Sequence, residues 1–291
     1  MAKVSFIGLG VMGFPMAGHL SKNGHDVTVY NRTPIKSKIW LEKYKGLLAK
    51  TPKDASKSKD FIFMCVGNDD DVLSIVNGEN GIIEGLSKGS IVVDHTTASA
   101  ELAKHLDKLF KSKGSNFIDA PVSGGQLGAE NGALSIMCGG KKNVFSQAYK
   151  IMEAYGKNIS LIGEVGSGQL AKMVNQICIA GLVQGLSEGI NFGIKANIDM
   201  KKVLDVIQSG AAGSWQMINR GETMVNNKFD FGFAVDWMRK DLKLCLDEAR
   251  KNKSRLPITS IIDQFYSQVQ ENNGGRLDTS SLITLLNKSQ L

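Results

Sequence analysis

The most specific chemistry in this chain is concentrated around one lysine, in the run Gly166-Ser167-Gly168-Gln169-Leu170-Ala171-Lys172-Met173-Val174-Asn175-Gln176. The glycines deliver the backbone into a helix whose first two turns contain Lys172. Asn175 and Gln176 follow three and four residues later, which at helical spacing places both on the face of the lysine. Leu170, Met173, Val174 and Ile177 give Lys172 an apolar setting, and desolvation disfavours the charged ammonium. An amine that gives up its proton more easily suits general acid–base chemistry near neutral pH. The competing reading is a surface lysine on a helix, and this segment alone does not separate the two. Which of Asn175 and Gln176 would orient a substrate is also open.

A second constellation lies at the start of the chain. Gly8-Leu9-Gly10-Val11-Met12-Gly13 follows a strand-like run directly and opens a helical pattern, the context that makes G-x-G-x-x-G a dinucleotide fingerprint. The first glycine permits the tight turn, the second lets backbone approach a pyrophosphate, and the third lets helix and strand pack closely. The anion would sit at the helix N-terminus, where unpaired N–H groups and the macrodipole favour it. A site for NAD usually carries Asp or Glu about 20 residues further on to hold the ribose diol. Here Asn31-Arg32-Thr33 stands instead, an amide, a guanidinium and a hydroxyl that suit a 2′-phosphate. NADP is therefore the expected cofactor, with NAD less favoured. Two further loops end strand-like runs: Asp94-His95-Thr96-Thr97 and Asp119-Ala120-Pro121-Val122-Ser123-Gly124-Gly125. The second could offer the Ser123 hydroxyl and consecutive N–H groups of Gly124 and Gly125 to a carboxylate.

The elements that must position these groups alternate. Residues 4–8, 26–30, 61–66, 90–94 and 116–119 read as strands, with helical patterns near 12–23, 34–45, 69–76 and 98–112 between them. Alternation of this kind implies βαβ units and a doubly wound, Rossmann-like parallel sheet. Strand-like runs at 133–140 and 158–163 flank a helix near 142–155. Beyond Gly168 only helical periodicity remains: a long helix to about Ala196, then patterns near 199–208, 214–226, 235–252, 257–271 and 279–288. The expected organisation is an α/β dinucleotide-binding domain over 1–165, then an all-α domain for substrate and oligomerisation over 166–291, joined by the long helix. That helix carries apolar residues over too great a length for one small bundle to cover, so a dimer or tetramer is expected.

Composition narrows the function classes. With 291 residues, 42% hydrophobic and 22% charged, the chain has the make-up of a globular protein of about two domains. Gly is in excess at 32 residues, and the glycines cluster in the loops above. A net charge of +7 and the stretch Lys36, Lys38, Lys43, Lys45, Lys50, Lys53, Lys57 and Lys59 invite a nucleic-acid role. No aromatic platform interleaves them, so a solvated helix face is expected and no nucleic-acid partner. No apolar stretch of about 18 residues is free of charge, so no membrane span is expected. The opening MAKVSFIGLG shows no h-region followed by a cleavage site, so no signal peptide is expected. The four cysteines (Cys65, Cys138, Cys178, Cys245) are far apart in apolar runs, which implies buried free thiols in a cytoplasmic setting. The histidines have no metal-ligand spacing, no Tyr is followed by Lys four residues on, and there is neither a P-loop nor a nucleophile elbow. No metal is expected.

In order and spacing, these motifs resemble those of the β-hydroxyacid dehydrogenase family. Its members include 3-hydroxyisobutyrate dehydrogenase, tartronate semialdehyde (2-hydroxy-3-oxopropionate) reductase and the glyoxylate/succinic semialdehyde reductases. The resemblance covers essentially the whole chain and is extended by Lys240-Asp241-Leu242. It implies hydride transfer between NADP(H) and a small 3-hydroxy acid or semialdehyde bearing a carboxylate. It makes Lys172 the catalytic lysine and Ser123, Gly124 and Gly125 the carboxylate loop. Thr96 and Thr97 become the nicotinamide-side loop, Val66 and Gly67 a further cofactor contact, Lys240 a lysine reaching the cofactor, and Phe233 an aromatic lining the pocket. Many members carry Asn four residues after the lysine, where this chain has Gln176. A non-catalytic dinucleotide-binding scaffold is the remoter alternative.

Overall fold

The structure, a computed structural model, describes residues 1–286. It forms two compact units, Met1–Lys172 and a second that begins at Met173. In the first, the elements run β1 (Lys3–Ile7), α1 (Gly13–Lys22), β2 (Asp26–Tyr30), α2 (Pro34–Lys43), β3 (Leu47–Leu48), α3 (Pro52–Ser56), β4 (Phe61–Met64), α4 (Asp69–Asn77), α5 (Ile82–Gly85) and β5 (Ile91–Asp94). They continue α6 (Ala100–Ser112), β6 (Asn116–Asp119), β7 (Val122–Ser123), α7 (Gly125–Glu130), β8 (Leu134–Gly139), α8 (Lys142–Met152) and β9 (Gly156–Gly163), after which α9 (Ser167–Lys195) begins.

The sheet order is β3-β2-β1-β4-β5-β6-β8-β7, with β9 on β8. Pairing is parallel from β3 to β6 and between β8 and β9, and antiparallel where β8 meets β6 and β7. Successive strand side chains point to opposite faces, so each strand feeds two cores. Val4, Phe6, Val27, Val29, Phe61 and Phe63 pack in one; Ile7, Ile62, Met64 and Val92 pack in the other, with Leu102, Leu106 and Phe110 of α6. Burial on both faces explains why these strands are nearly continuous apolar runs. The register then sets the site: Ile7 pairs with Tyr30 and Met64, Met64 with Asp94, and Asp94 with Asp119. The carboxyl ends of five strands therefore stand in one row, and the Gly8, Asn31, Val66, Thr96 and Ser123 loops start from it, whereas the Gly166 turn follows β9.

The second unit is helical. After α9 come α10 (Met200–Ile207), α11 (Trp215–Val225), α12 (Val235–Asn252), α13 (Pro257–Glu271) and a closing 3-10 helix, Thr279–Leu285. Ala180 and Val183 of α9 pack with Val235, Met238, Leu242, Ile262 and Tyr266; Leu186 and Ile190 pack with Met200, Leu204, Met217 and Met224.

Several expectations need correction. The pattern near 279–288 forms a 3-10 helix over Thr279–Leu285 rather than an α-helix, and residues 287 and 288 lie outside the described residues. Cys138 and Cys245 are buried, but Cys65, just past the end of β4, is only half-buried, and Cys178 is exposed because apolar neighbours in sequence do not decide which face of α9 a thiol occupies. With 29 residues and a mean hydropathy of 1.3 in its best window, α9 is long and apolar enough to cross a membrane by length and composition. One face of it, with Ala180, Val183, Leu186 and Ile190, packs into the two helical cores, while Val174, Leu182, Phe192 and Ile194 are exposed.

Candidate active site

The glycine-rich loop leaves β1 through Gly8, which has φ +96° and whose N–H donates to Tyr30 O at 2.9 Å. A Cβ at Gly8 would strike the Cys65 carbonyl, and one at Gly13 would strike the Gly8 carbonyl, so protein packing dictates both glycines. Gly10 differs: a Cβ there would meet nothing within 4 Å. Protein contacts do not demand this glycine. It keeps open the space beside the N-terminal end of α1, where the helix dipole favours an anion such as a pyrophosphate. The cradle fits a dinucleotide.

Asn31 turns its side chain inward. Its Oδ1 accepts from Leu9 N at 2.8 Å and its Nδ2 donates to Thr33 O at 3.1 Å, so it braces the glycine loop against the end of β2. Arg32 and Thr33 are exposed beside the first turn of α2, which contains no acidic residue. Arg32 extends to α4 and pairs with Asp71 at 2.9 Å, with its own side chain 83% exposed. Val66 and Gly67 are half-buried at the end of β4, and Val66 N donates to Thr96 Oγ1 at 3.0 Å. Thr96 is buried and Thr97 half-buried. In the Ser123 loop, Gly124 and Gly125 both have positive φ, 126° and 61°, and Ser123 is half-buried. Lys172 is buried, at 8% exposure, so it is not a surface lysine.

Titratable groups behind the strand ends are shifted by burial. Asp94 is pushed up to about 7 by desolvation, opposed by hydrogen bonds from Thr96. Asp119 is pushed up to about 6 by desolvation, opposed by backbone N–H donors that include Gly166, Gln169 and Gly168. His95 is lowered to about 4 by burial and sits between Ala120 O and the Tyr155 hydroxyl, at 2.6 Å and 2.9 Å.

The helical unit holds the remaining candidates. Gln176 is buried; its Nε2 donates to Asp241 Oδ2 at 2.7 Å, and its Oε1 accepts from Asn175 Nδ2 at 2.7 Å. Asp241 Oδ1 pairs with Lys240 Nζ at 2.9 Å. Phe233 packs at the edge of the core around Val235 and Met238, and its N–H donates to Asp278 Oδ2 at 2.9 Å. Residues the sequence analysis did not single out are Asp119, Gln169, Asp241 and Asp71. Three of them lie inside the quoted motifs, where position in the motif was visible but the partner was not. Asp71 had no signal in the sequence. Among the described residues no group of three or more His, Cys, Asp or Glu is placed to hold a metal ion.

A glycine-rich turn at a switch in strand order, with further loops on the same row of strand ends, defines a dinucleotide-binding α/β protein. Residues 3–163 match the family described as the NAD-binding domain of 6-phosphogluconate dehydrogenase, and residues 166–286 that described as NAD-binding of NADP-dependent 3-hydroxyisobutyrate dehydrogenase. An uncharacterised oxidoreductase of Shewanella frigidimarina is 58% identical over 290 residues, 100% of each chain. The 2-hydroxy-3-oxopropionate reductase of Escherichia coli is 35% identical over 284 residues, 98% of this chain and 97% of its own. The Mycobacterium tuberculosis 3-hydroxyisobutyrate dehydrogenase solved with L-serine superposes with a TM-score of 0.89 at 25% identity, covering 99% of both chains. The chain belongs to the β-hydroxyacid dehydrogenase family, and is an oxidoreductase that uses a nicotinamide dinucleotide.

Proposed function

We propose that this protein transfers a hydride between NADP(H) and a small 3-hydroxy acid or its semialdehyde, of the 3-hydroxyisobutyrate or 2-hydroxy-3-oxopropionate type, with Lys172 as the acid–base group. The observation that carries this is the burial of Lys172 in the second turn of α9, in the unit whose strand ends bear the glycine loop, the Thr96 loop and the Ser123 loop. A bound nicotinamide supplies the hydride in reduction and takes it up in oxidation. The Ser123 hydroxyl and the amides of Gly124 and Gly125 hold the substrate carboxylate, which orients the carbonyl. In reduction the Lys172 ammonium gives its proton to the carbonyl oxygen as that oxygen gains charge; in oxidation the neutral amine removes the hydroxyl proton. Asn175 and Gln176 are bonded to each other, and Gln176 is anchored on Asp241, so this pair of amides is assigned to orienting the substrate. The roles of Phe233 in the pocket and Lys240 at the cofactor are carried by the family resemblance.

Preference for NADP(H) is supported by Arg32 and Thr33 at an α2 first turn without acidic residues, and by the NADP-dependent description of the matched family. A cytoplasmic setting is supported by four free cysteines. Self-association is supported by Val174, Leu182, Phe192 and Ile194, apolar residues that α9 leaves exposed, Phe192 at 73%. One methylene is worth only ~1–3 kcal/mol in an apolar pocket, so substrate choice within the class needs direct assay. The test is a panel of 3-hydroxyisobutyrate, 2-hydroxy-3-oxopropionate, glyoxylate and succinic semialdehyde, followed by reduced-cofactor absorbance. Turnover of at least one is expected; none with either cofactor would refute the substrate class.

A further inference from the structure

We propose that Asp119 and Gln169 are positioning residues for Lys172: together they clamp the first turn of α9 to the ends of β5 and β6 and so set where the lysine amine stands. The inference rests on the acid–base role of Lys172 proposed above.

Asp119 is the last residue of β6 and fully buried. Its Oδ1 accepts from Gly166 N at 2.8 Å and its Oδ2 from Gln169 N at 2.9 Å, with Gly168 N also donating. A Cβ at Gly168 would collide with Met137 O, Asp119 O and the Asp119 carboxylate, so the turn lies flat on the strand ends and no other residue fits there. Gln169, 1% exposed, carries the clamp sideways: its Oε1 accepts from Ala98 N at 3.0 Å and its Nε2 donates to Thr96 O at 2.8 Å. Thr96 is itself tied to the end of β4 through its hydroxyl and Val66 N. One chain of hydrogen bonds therefore runs from β4 through the Thr96 loop into the helix turn that precedes Lys172.

Lys172 lies three residues after Gln169, on the same helix face and about 4.5 Å further along the axis. A tilt or slip of that first turn moves the amine directly. An ordinary helix cap could be met by a serine or threonine hydroxyl. Here a buried carboxylate is kept, which costs desolvation and is held by charge-assisted bonds to the amides of Gly166, Gly168 and Gln169. Rigidity at this turn is what that cost secures. Misplacement of a reacting group by about 1 Å can lower the rate on the order of 100-fold.

The test uses the full chain with Gln169→Leu and Asp119→Asn. Gln169→Leu removes both side-chain bonds while keeping the volume. Asp119→Asn keeps one acceptor and loses the other. With NADPH and the best substrate of the panel, kcat should fall roughly 10- to 100-fold while NADPH Kd, read by its fluorescence, stays within about threefold. The primary deuterium isotope effect from 4-deuterated NADPH should rise, because hydride and proton transfer become more rate-limiting. Independently of turnover, acetylation of Lys172 by acetic anhydride, read by peptide mass spectrometry against exposed Lys202, should increase several-fold in both variants. Labelling and kcat within about twofold of wild type in Gln169→Leu would overturn the proposal. So would a kcat loss that tracks a fall in Tm with the isotope effect unchanged, the mark of a purely structural cap. If the wild type turns over none of the panel, the proposed function fails, while the labelling still decides whether the clamp positions Lys172.

Discussion

The two units hold their polar groups in opposite ways. In the α/β unit, candidate residues are gripped by backbone: Asp119 by the amides of Gly166 and Gln169, Thr96 by Val66 N, Asn31 by Leu9 N. In the helical unit, Asn175, Gln176, Asp241 and Lys240 are linked side chain to side chain. Inside α9 and α12 the helix backbone is paired within the helix, so these four residues meet through side chains, whereas Phe233, in the loop before α12, is held through its N–H by Asp278. Strand ends and loops leave N–H and C=O groups that must be paired, and those pairs fix geometry with fewer rotatable bonds. Placement at the strand ends is thus fixed by backbone, and placement along α9 and α12 by the packing of side chains.

The largest expected effect comes from Lys172→Ala, which removes the acid–base group without touching the strand-end scaffold. We expect kcat to fall ~10²–10⁴-fold with NADPH affinity retained. A kcat within about tenfold of wild type would remove the lysine from the chemistry, and with it the claim that the rigid unit exists to place it.

His95 tests the rigidity itself. Its folded-state value, lowered to about 4 from 6.5 by burial, means it contributes stability that is present above pH 6.5 and lost as pH falls through about 4. Asp94 and Asp119, raised to about 7 and about 6, act in the reverse sense, their contribution being lost as pH rises through those values. His95→Gln isolates the histidine: the urea-unfolding difference from wild type should change by about 3 kcal/mol between pH 6.5 and 4. A difference that is flat with pH would show that His95 is not buried in the neutral state.

At the edge of the same unit, Arg32 makes its contact through an exposed side chain rather than through backbone. A charge-assisted bond of ~1.5–3 kcal/mol corresponds to a roughly ten- to hundredfold preference for NADP(H), which Arg32→Ala should abolish. Asp71→Asn should move the ratio the other way by a few-fold, since the exposed Arg32–Asp71 pair competes for the guanidinium and is worth only ~0.2–1 kcal/mol. Ratios of kcat/KM for the two cofactors decide both. Equal values in the wild type would defeat the assignment of Arg32, and an unchanged ratio in Asp71→Asn would defeat the competition.

The smallest effect in size concerns the helical unit. Light scattering at micromolar concentration should give at least twice the 31.5 kDa chain mass, and Phe192→Glu should shift it toward the monomer. A wild-type particle of chain mass would refute self-association through the exposed face of α9.

From residues alone, the alternation of strands and helices, the switch to helices after Gly168 and the glycine loop were legible, because periodicity and backbone sterics act over a few residues. The expected strands at 26–30 and 116–119 and the helices at 235–252 and 257–271 coincide with β2, β6, α12 and α13. Short elements escaped: β3 has two residues, α3 five, α5 four and α7 six, too few for a period to declare itself. What only the tertiary structure decided is which distant residues meet. Asp119 and Gly166 are 47 residues apart, Gln169 and Thr96 73, Gln176 and Asp241 65, and Arg32 and Asp71 39. Those pairings depend on strand order, register and helix packing, which emerge only when the two faces of the sheet and the stripes of the helices are buried together.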